Sequence, residues 1–409
     1  MLGQRNGMRT TICQPYPRRQ FFKLWLLGGV GTLVTMNATR SLARNSAGKF
    51  FTVKQHNGRW WFITPNGKPF FSLGLNHIDS SPLRYKPTEN LWEKKYANSM
   101  ECWLKTSVAP NLRVWGFNSI GWTQEVVVRG EKIHRHSPGF TYEEYQWLGM
   151  PYCHLLPFAE IHQWDAEVRH PDFYSKDFED WCDYVARSQC ARFAGDEKLI
   201  GYFFSDCPCW VHTRPWNAWK GPLFDPDKLK TAEGRAQLFK LATRYYLTIH
   251  TAIRRYDKYH LILGDRYEAM ATVPDDVLLA ARPFVDVFSF QHFGPVDRIR
   301  SDLTRFAQVT AKPVLLADSA GSIKKPDGTL GNDPVKYHQT MSALREIPAC
   351  VGFHLCGAYL RNRARNRGLL DENEQPDTEA IQAITRANRE MADWVKRASG
   401  KAQAVKQGS

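Results

Sequence analysis

Short apolar runs recur along the chain, each closing on polar residues. Between them lie longer stretches whose apolar positions fall three and four apart. The first kind reads as strands buried on both faces, the second as amphipathic helices. Strand-like runs cover Phe70–Leu75, NLRVWGFNSIGWT, MPYCHLLPFA at 150–159, LIGYFFSD ending at Asp206, HLILGDRYE, FVDVFSFQHFG, KPVLLADSAG and CVGFHLCGAYL. Helical spacing marks Trp92 to Leu104, then Phe178, Trp181, Val185 and Phe193, then Leu238, Leu241, Tyr245, Ile249 and Ile253, and finally Thr378 to about Val395. Two β-type runs flanking Pro65-Asn66-Gly67-Lys68 predict a hairpin ahead of the first strand.

Eight strand-like runs alternating with helical ones predict an α/β protein, a (β/α)8 TIM barrel preceded by a short N-terminal β-hairpin. A doubly wound open sheet would place a Gly-rich phosphate loop after its first strand, and none is there. Each run carries its polar residues at its C-terminal tip: Asn76 and His77, Trp122, Asp206, then Asp265, Arg266 and Glu268, then His292, then Asp318. In such a barrel the functional site lies at that end of the strands.

The first 43 residues stand apart. Arg18-Arg19, with Phe21 and Lys23 after them, precede a short apolar segment from Leu24 to Val34, and Ser41 and Ala43 bracket a small-x-small cut. That order is a twin-arginine (Tat-like) export signal, too short to span a bilayer, where about 20 apolar residues are needed. The expectation is therefore a signal over 1–43, a barrel over 44–395 and a basic, disordered tail over 396–409. The mature protein is expected in the periplasm or outside the cell, with no membrane attachment after signal removal.

The net charge of +14 shrinks to +8 once the six basic residues of that segment are set aside. No recognisable nucleic-acid-binding module gathers the remaining charge, so nucleic acid is not an expected partner. Eight cysteines after the signal are too sparse for a disulfide scaffold, and Cys207-x-Cys209 lacks a second pair with metal-ligand spacing. The 14 Trp, 16 Tyr and 23 Phe suit a large core and also a cleft on which sugar rings stack.

Two carboxylates, Asp206 and Asp318, end the fourth and seventh strands, and glycoside hydrolysis needs two carboxyl groups flanking one bond. The segments GRWWFITPNGKPFFSLGLNHID, LRVWGFNSIGWT, LIGYFFSDCPCW, RPFVDVFSFQHFG and VGFHL…NRGLLDENEQP resemble those of clan A glycoside hydrolases. The resemblance runs in order from about residue 50 to 376, and it is nearest to family 50 agarases and β-galactosidase-like barrels. It implies a secreted O-glycosyl hydrolase of galactan-like or acidic polysaccharides, working with neither cofactor nor metal. Those enzymes carry Asn-Glu at the fourth strand tip and Glu at the seventh. Here Asp206 stands where the Asn belongs, Cys207 where the acid/base Glu belongs, and Asp318 where the nucleophile belongs.

Three readings follow. Asp206 serves as acid and Asp318 as nucleophile or base; or Glu268 or Asp265 supplies the missing carboxyl; or the barrel binds sugars without cleaving them. Asn76, His77, Trp122, Trp210, Arg266 and His292 are candidate substrate contacts. The loop LRNRARNRG adds Arg361 and Arg363, with Arg365 and Arg367 behind them, as cations for an anionic polysaccharide.

Overall fold

The computed structural model describes residues 48–130, 134–161, 170–211 and 226–400. The expected export signal over 1–43 lies outside the described residues, as do 401–409.

The chain opens with a three-stranded antiparallel sheet of β1 (Thr52–His56), β2 (Arg59–Ile63) and β3 (Pro69–Phe70). β1 and β2 form the N-terminal hairpin, and the Pro65–Lys68 turn brings back β3, a two-residue strand. The chain then enters the barrel at β4 (Ser72–Leu75) and continues through β5 (Ser119–Ile120). The β6 (Val126–Arg129) and β7 (His134–His136) ribbon comes next, followed by β8 (Tyr152–Leu155), β9 (Leu199–Asp206), β10 (Leu261–Glu268) and β11 (Phe288–Gln291). After β12 (Val314–Ser319), a second small ribbon of β13 (Ser322–Lys324) and β14 (Leu330–Asn332) precedes the last barrel strand, β15 (Cys350–Leu355). Strands β4, β5, β8, β9, β10, β11, β12 and β15 close on themselves as an eight-stranded parallel barrel. All eight fall within the apolar runs of the sequence, and the fold is a TIM barrel.

Two layers of core explain the composition of those runs. Ile200, Phe203, Leu263, Leu315, Ala317 and Val351 pack inside the barrel, together with Phe51 and Phe62 of the N-terminal sheet. Leu199, Tyr202 and Phe204 pack outward with helical residues such as Val185, Tyr245 and Ile249. A strand buried on both faces must be apolar on both, so its polar residues are pushed to its ends.

The helices follow the predicted spacing. Ser175 caps Lys176–Val185 by accepting from the Phe178 amide at 3.2 Å, and Thr231 caps Ala232–Tyr256 by accepting from the Gly234 amide at 3.0 Å. Trp181 differs from expectation. It is 45% exposed, because its ring lies at the rim of the buried stripe with Nε1 donating to the Phe158 carbonyl at 3.0 Å. The last helix, Thr378–Gly400, takes in five residues that the sequence reading gave to the tail. Among the described residues, no helix is long and apolar enough to cross a membrane.

Candidate active site

One irregularity decides which side chains of β10 enter the barrel. Leu261 and Leu263 belong to the interior core, and strict alternation would send Asp265 and Tyr267 inward after them. Gly264 instead adopts φ +65°, and the register with β9 shifts on both sides of it. This is a bulge, and it inverts the alternation for the rest of the strand. Asp265 therefore turns outward, accepting hydrogen bonds from Tyr246, from Tyr245 at 3.2 Å and from the Ser205 amide at 3.0 Å. Arg266 and Glu268 turn inward.

Arg266 is wholly buried, with its guanidinium 4.2 Å from the Trp122 ring centroid. Its Nη2 lies 3.0 Å from Asp318 Oδ2 and its Nε 3.4 Å from Asp206 Oδ1. One cation thus bridges the acids of the fourth and seventh barrel strands. The Gln291 side-chain amide also donates to Asp206.

Asp318 is held from the other side by Asn76, whose Nδ2 donates to Oδ1 at 2.6 Å and to the Ala317 carbonyl at 2.8 Å. Asn76 Oδ1 accepts from the Trp122 amide at 2.7 Å, so one side chain ties together β4, β12 and the end of β5. Only a glycine fits beside it, since a Cβ at Gly121 would fall 2.0 Å from Asn76 Oδ1.

His77, at φ +64°, places Nε2 3.8 Å from Asp318 Oδ2 and donates from Nδ1 to the Gln124 carbonyl at 2.6 Å. Burial and Arg365 oppose its charge, but Cys356, Glu125 and Asp318 outweigh them and raise its pKa to about 9. Burial likewise opposes ionisation of Asp318, yet Arg266, His77 and Arg365 hold that carboxyl well below the usual carboxylate range.

These groups face a cavity of about 690 Å³ at the C-terminal end of the barrel. Asp206, Cys207, Glu268, Gln291, Asp318 and His77 line it on one side, and Arg129, Arg365 and Arg367 also face it. A smaller pocket of about 220 Å³, lined by Trp122 and Glu160 among others, adjoins it and shares Asp206, His134 and His136. Cys207 turns the chain out of β9 at φ +42° and is buried. Burial, with Asp206 and Glu268 adding to it, pushes its thiol well above the ordinary range, which disfavours the thiolate a nucleophile needs.

A metal ion would find donors in His77, Asp318 and Cys356, whose ligand atoms lie within 4.8 Å of one another. Their surroundings fit one poorly. Arg365 Nη1 donates to Cys356 Sγ at 3.1 Å, and Arg266 occupies the near side of Asp318, so a divalent cation would face two fixed guanidiniums.

The remaining residues singled out in the sequence lie elsewhere. The Trp210 ring packs with Phe173, Tyr245 and Tyr246 in the outer layer. His292 turns its Nε2 to Asp302 at 3.1 Å, away from the cavity. Arg361 pairs with Glu372 at 2.9 Å, while Arg363 is exposed over the Tyr85 ring. Arg365 and Arg367, further along the same loop, reach the cavity instead. Gln291 and Arg129 carried no signal of comparable weight, although Gln291 does end a strand.

No protein-family model matches the sequence, and no curated protein does. Solved structures do match. An exo-β-agarase superposes with a TM-score of 0.66 at 15% identity, covering 85% of this chain and 65% of its own. The agarase AgWH50C gives 0.63 at 15% identity, with 85% and 64% covered, and BpGH50 gives 0.61 at 14%, with 90% of each chain covered. The chain spans about two thirds of the length of the two agarases. At these identities the likeness is one of fold, a scaffold shared with glycoside hydrolases.

Proposed function

We propose that the chain is a glycoside hydrolase that cleaves an O-glycosidic bond in the cavity at the C-terminal end of the barrel. The observation that carries this reading is the convergence of three carboxyl groups, Asp206, Glu268 and Asp318, on that one cavity. Hydrolysis needs an ionised carboxylate beside the anomeric carbon and a carboxylic acid that protonates the leaving oxygen. Asp318 suits the first role, since Arg266 and His77 favour its anion.

The sequence reading gives the acid role to Asp206. The Gln291 amide donates to Asp206 and Arg266 lies within ion-pair reach of it, so its oxygens are already engaged as acceptors inside the barrel. We therefore assign proton donation to Glu268, a half-buried side chain two residues beyond Arg266 on β10. Asp206 then serves to position Arg266 and substrate hydroxyls. The agarase-like fold supports a polysaccharide as substrate, and the twin-arginine segment supports export as part of the same proposal.

A second reading is a barrel that binds carbohydrate without cleaving it. It is favoured by Cys207, which stands where the resembling enzymes carry their acid/base Glu.

Reducing-end release from a polysaccharide panel tests both readings. Wild type should release ends, and Asp318→Asn and Glu268→Gln should each lose about 10²–10⁴-fold in kcat. Equal rates in Glu268→Gln and wild type would return the acid role to Asp206. Retained polysaccharide binding with no release by wild type would establish the binding protein.

A further inference from the structure

The cavity has a second wall of opposite sign. Arg365 and Arg367 reach it from the loop after β15, and Arg129 reaches it from the end of β6. Arg365 is the only one of the three that pairs with a carboxylate, its Nε donating to Glu125 at 2.8 Å. Arg367 is 9% exposed and donates only to neutral groups: Ser322 Oγ, the Cys356 carbonyl at 2.6 Å and the Gly321 carbonyl at 3.4 Å. Its buried Nε has no hydrogen-bond partner at all. Among the described residues, the Arg129 side chain has neither a hydrogen bond nor an ion pair, its backbone pairing with His134 in the ribbon.

Only one carboxylate of the described residues, Glu125, is in direct contact with any of the three guanidiniums, while Asp318 acts on Arg365 and Arg367 from across the cavity. Burial first, and the field of Arg365 with it, lower the pKa of both Arg129 and Arg367, against the opposing pull of Cys356 and Glu125. His134, on the facing strand of the same ribbon, is lowered by burial, Arg129 and Arg365.

We propose that this wall is a subsite for an anionic substituent on the carbohydrate, a sulfate ester or a uronic carboxylate, gripped by Arg129 and Arg367 beside Arg365. The planar fork of arginine suits both oxyanions, and a charge-assisted contact is roughly twice as strong as a neutral one. Arg365 is held in place by Glu125 and presents its charge, while Arg367 is locked by the backbone of Gly321 and Cys356. Arg129, on a ribbon outside the barrel, supplies the adjustable contact. The sequence expectation gave the grip to all four arginines of the loop, Arg361, Arg363, Arg365 and Arg367; here Arg365 and Arg367 reach the cavity and Arg129 joins them. The proposal rests on the cavity being a carbohydrate site.

Calorimetric titration of the full chain with size-matched neutral, sulfated and uronic oligosaccharides, and with inorganic sulfate alone, separates the two claims. The expected result is that one anionic series binds about tenfold or more tighter than the neutral one. Added salt, and Arg129→Gln, should narrow that gap. The arm that wins decides between sulfate and carboxylate. Equal binding of neutral and anionic series would overturn the subsite and leave the glycosidase reading intact. Binding of inorganic sulfate that Arg129→Gln weakens, with no oligosaccharide bound, would keep the anion site and overturn the carbohydrate reading. Arg367→Gln, checked for folding by circular dichroism, gives a second variant; an unchanged preference in both folded variants would also overturn the assignment.

Discussion

Arg266 Nη2 lies 3.0 Å from Asp318 Oδ2 inside the barrel, and the same guanidinium reaches Asp206 with its Nε. Neither acid is free to change its charge without the other's counter-ion responding. The arrangement favours the anion of Asp318 in a place where water does little of the screening.

Removing that cation should be costly. Arg266→Met leaves two buried acids without their shared partner, and the expected loss of unfolding free energy is about 3–5 kcal/mol, read from urea titration. In the Arg266→Met background Asp318→Asn should cost much less than in wild type. Additive losses in that double-mutant cycle would show that the pair does not interact.

The charge on His77 makes a pH-dependent contribution of known sign. Its folded pKa is raised to about 9, above the unfolded value of about 6.5. The stabilisation is thus fully present below about pH 6.5 and fades as pH rises through 9. The stability gap between wild type and His77→Gln should shrink across that window. Asp318 runs the other way: its contribution is present above about pH 4 and falls away in stronger acid. A gap that stays constant from pH 6 to 9.5 would refute the charged imidazole.

Cys207 should be dispensable for chemistry. Its thiol is buried and held protonated, so Cys207→Ser is expected to change kcat/KM by less than about tenfold, against 10²–10⁴ for a true acid or base. Labelling by iodoacetamide at pH 8 should be slow in the folded protein. Rapid labelling together with an inactive serine variant would put the thiol in the mechanism.

Gly264 is predicted to resist substitution. At φ +65° an alanine Cβ is strained, and it would lie 3.0 Å from Val285 Cγ2. The expected cost of Gly264→Ala is about 1–3 kcal/mol by thermal unfolding. Activity should fall more than stability does, because Arg266 and Glu268 depend on that residue for their direction.

The barrel was legible because its strands are buried on both faces, which leaves long apolar runs such as LIGYFF with acids only at the tips. Tip position alone does not reveal direction. His292 and Asp265 end strands too, yet their side chains turn to Asp302 and to Tyr245 and Tyr246 in the helical layer. Trp210, a candidate substrate contact by sequence, has its ring packed against His170, Phe173, Tyr245 and Tyr246 outside the barrel. In the arginine loop, composition marked the segment, while the path of the chain chose Arg365 and Arg367 over Arg361 and Arg363. The carbonyls of Cys356 and Gly321 that lock Arg367 lie far from it in sequence and leave no local signature.

The bulge at Gly264 has a wider meaning for how such a barrel could acquire new chemistry. Straightening the strand there, with every residue kept, would exchange the roles of Asp265 and Arg266, sending an anion into the cavity and a cation into the scaffold. No side chain need be altered for the electrical character of the pocket to reverse. In a lineage built on this scaffold, the local path of a strand is as heritable a determinant of reactivity as the identity of the acids it carries.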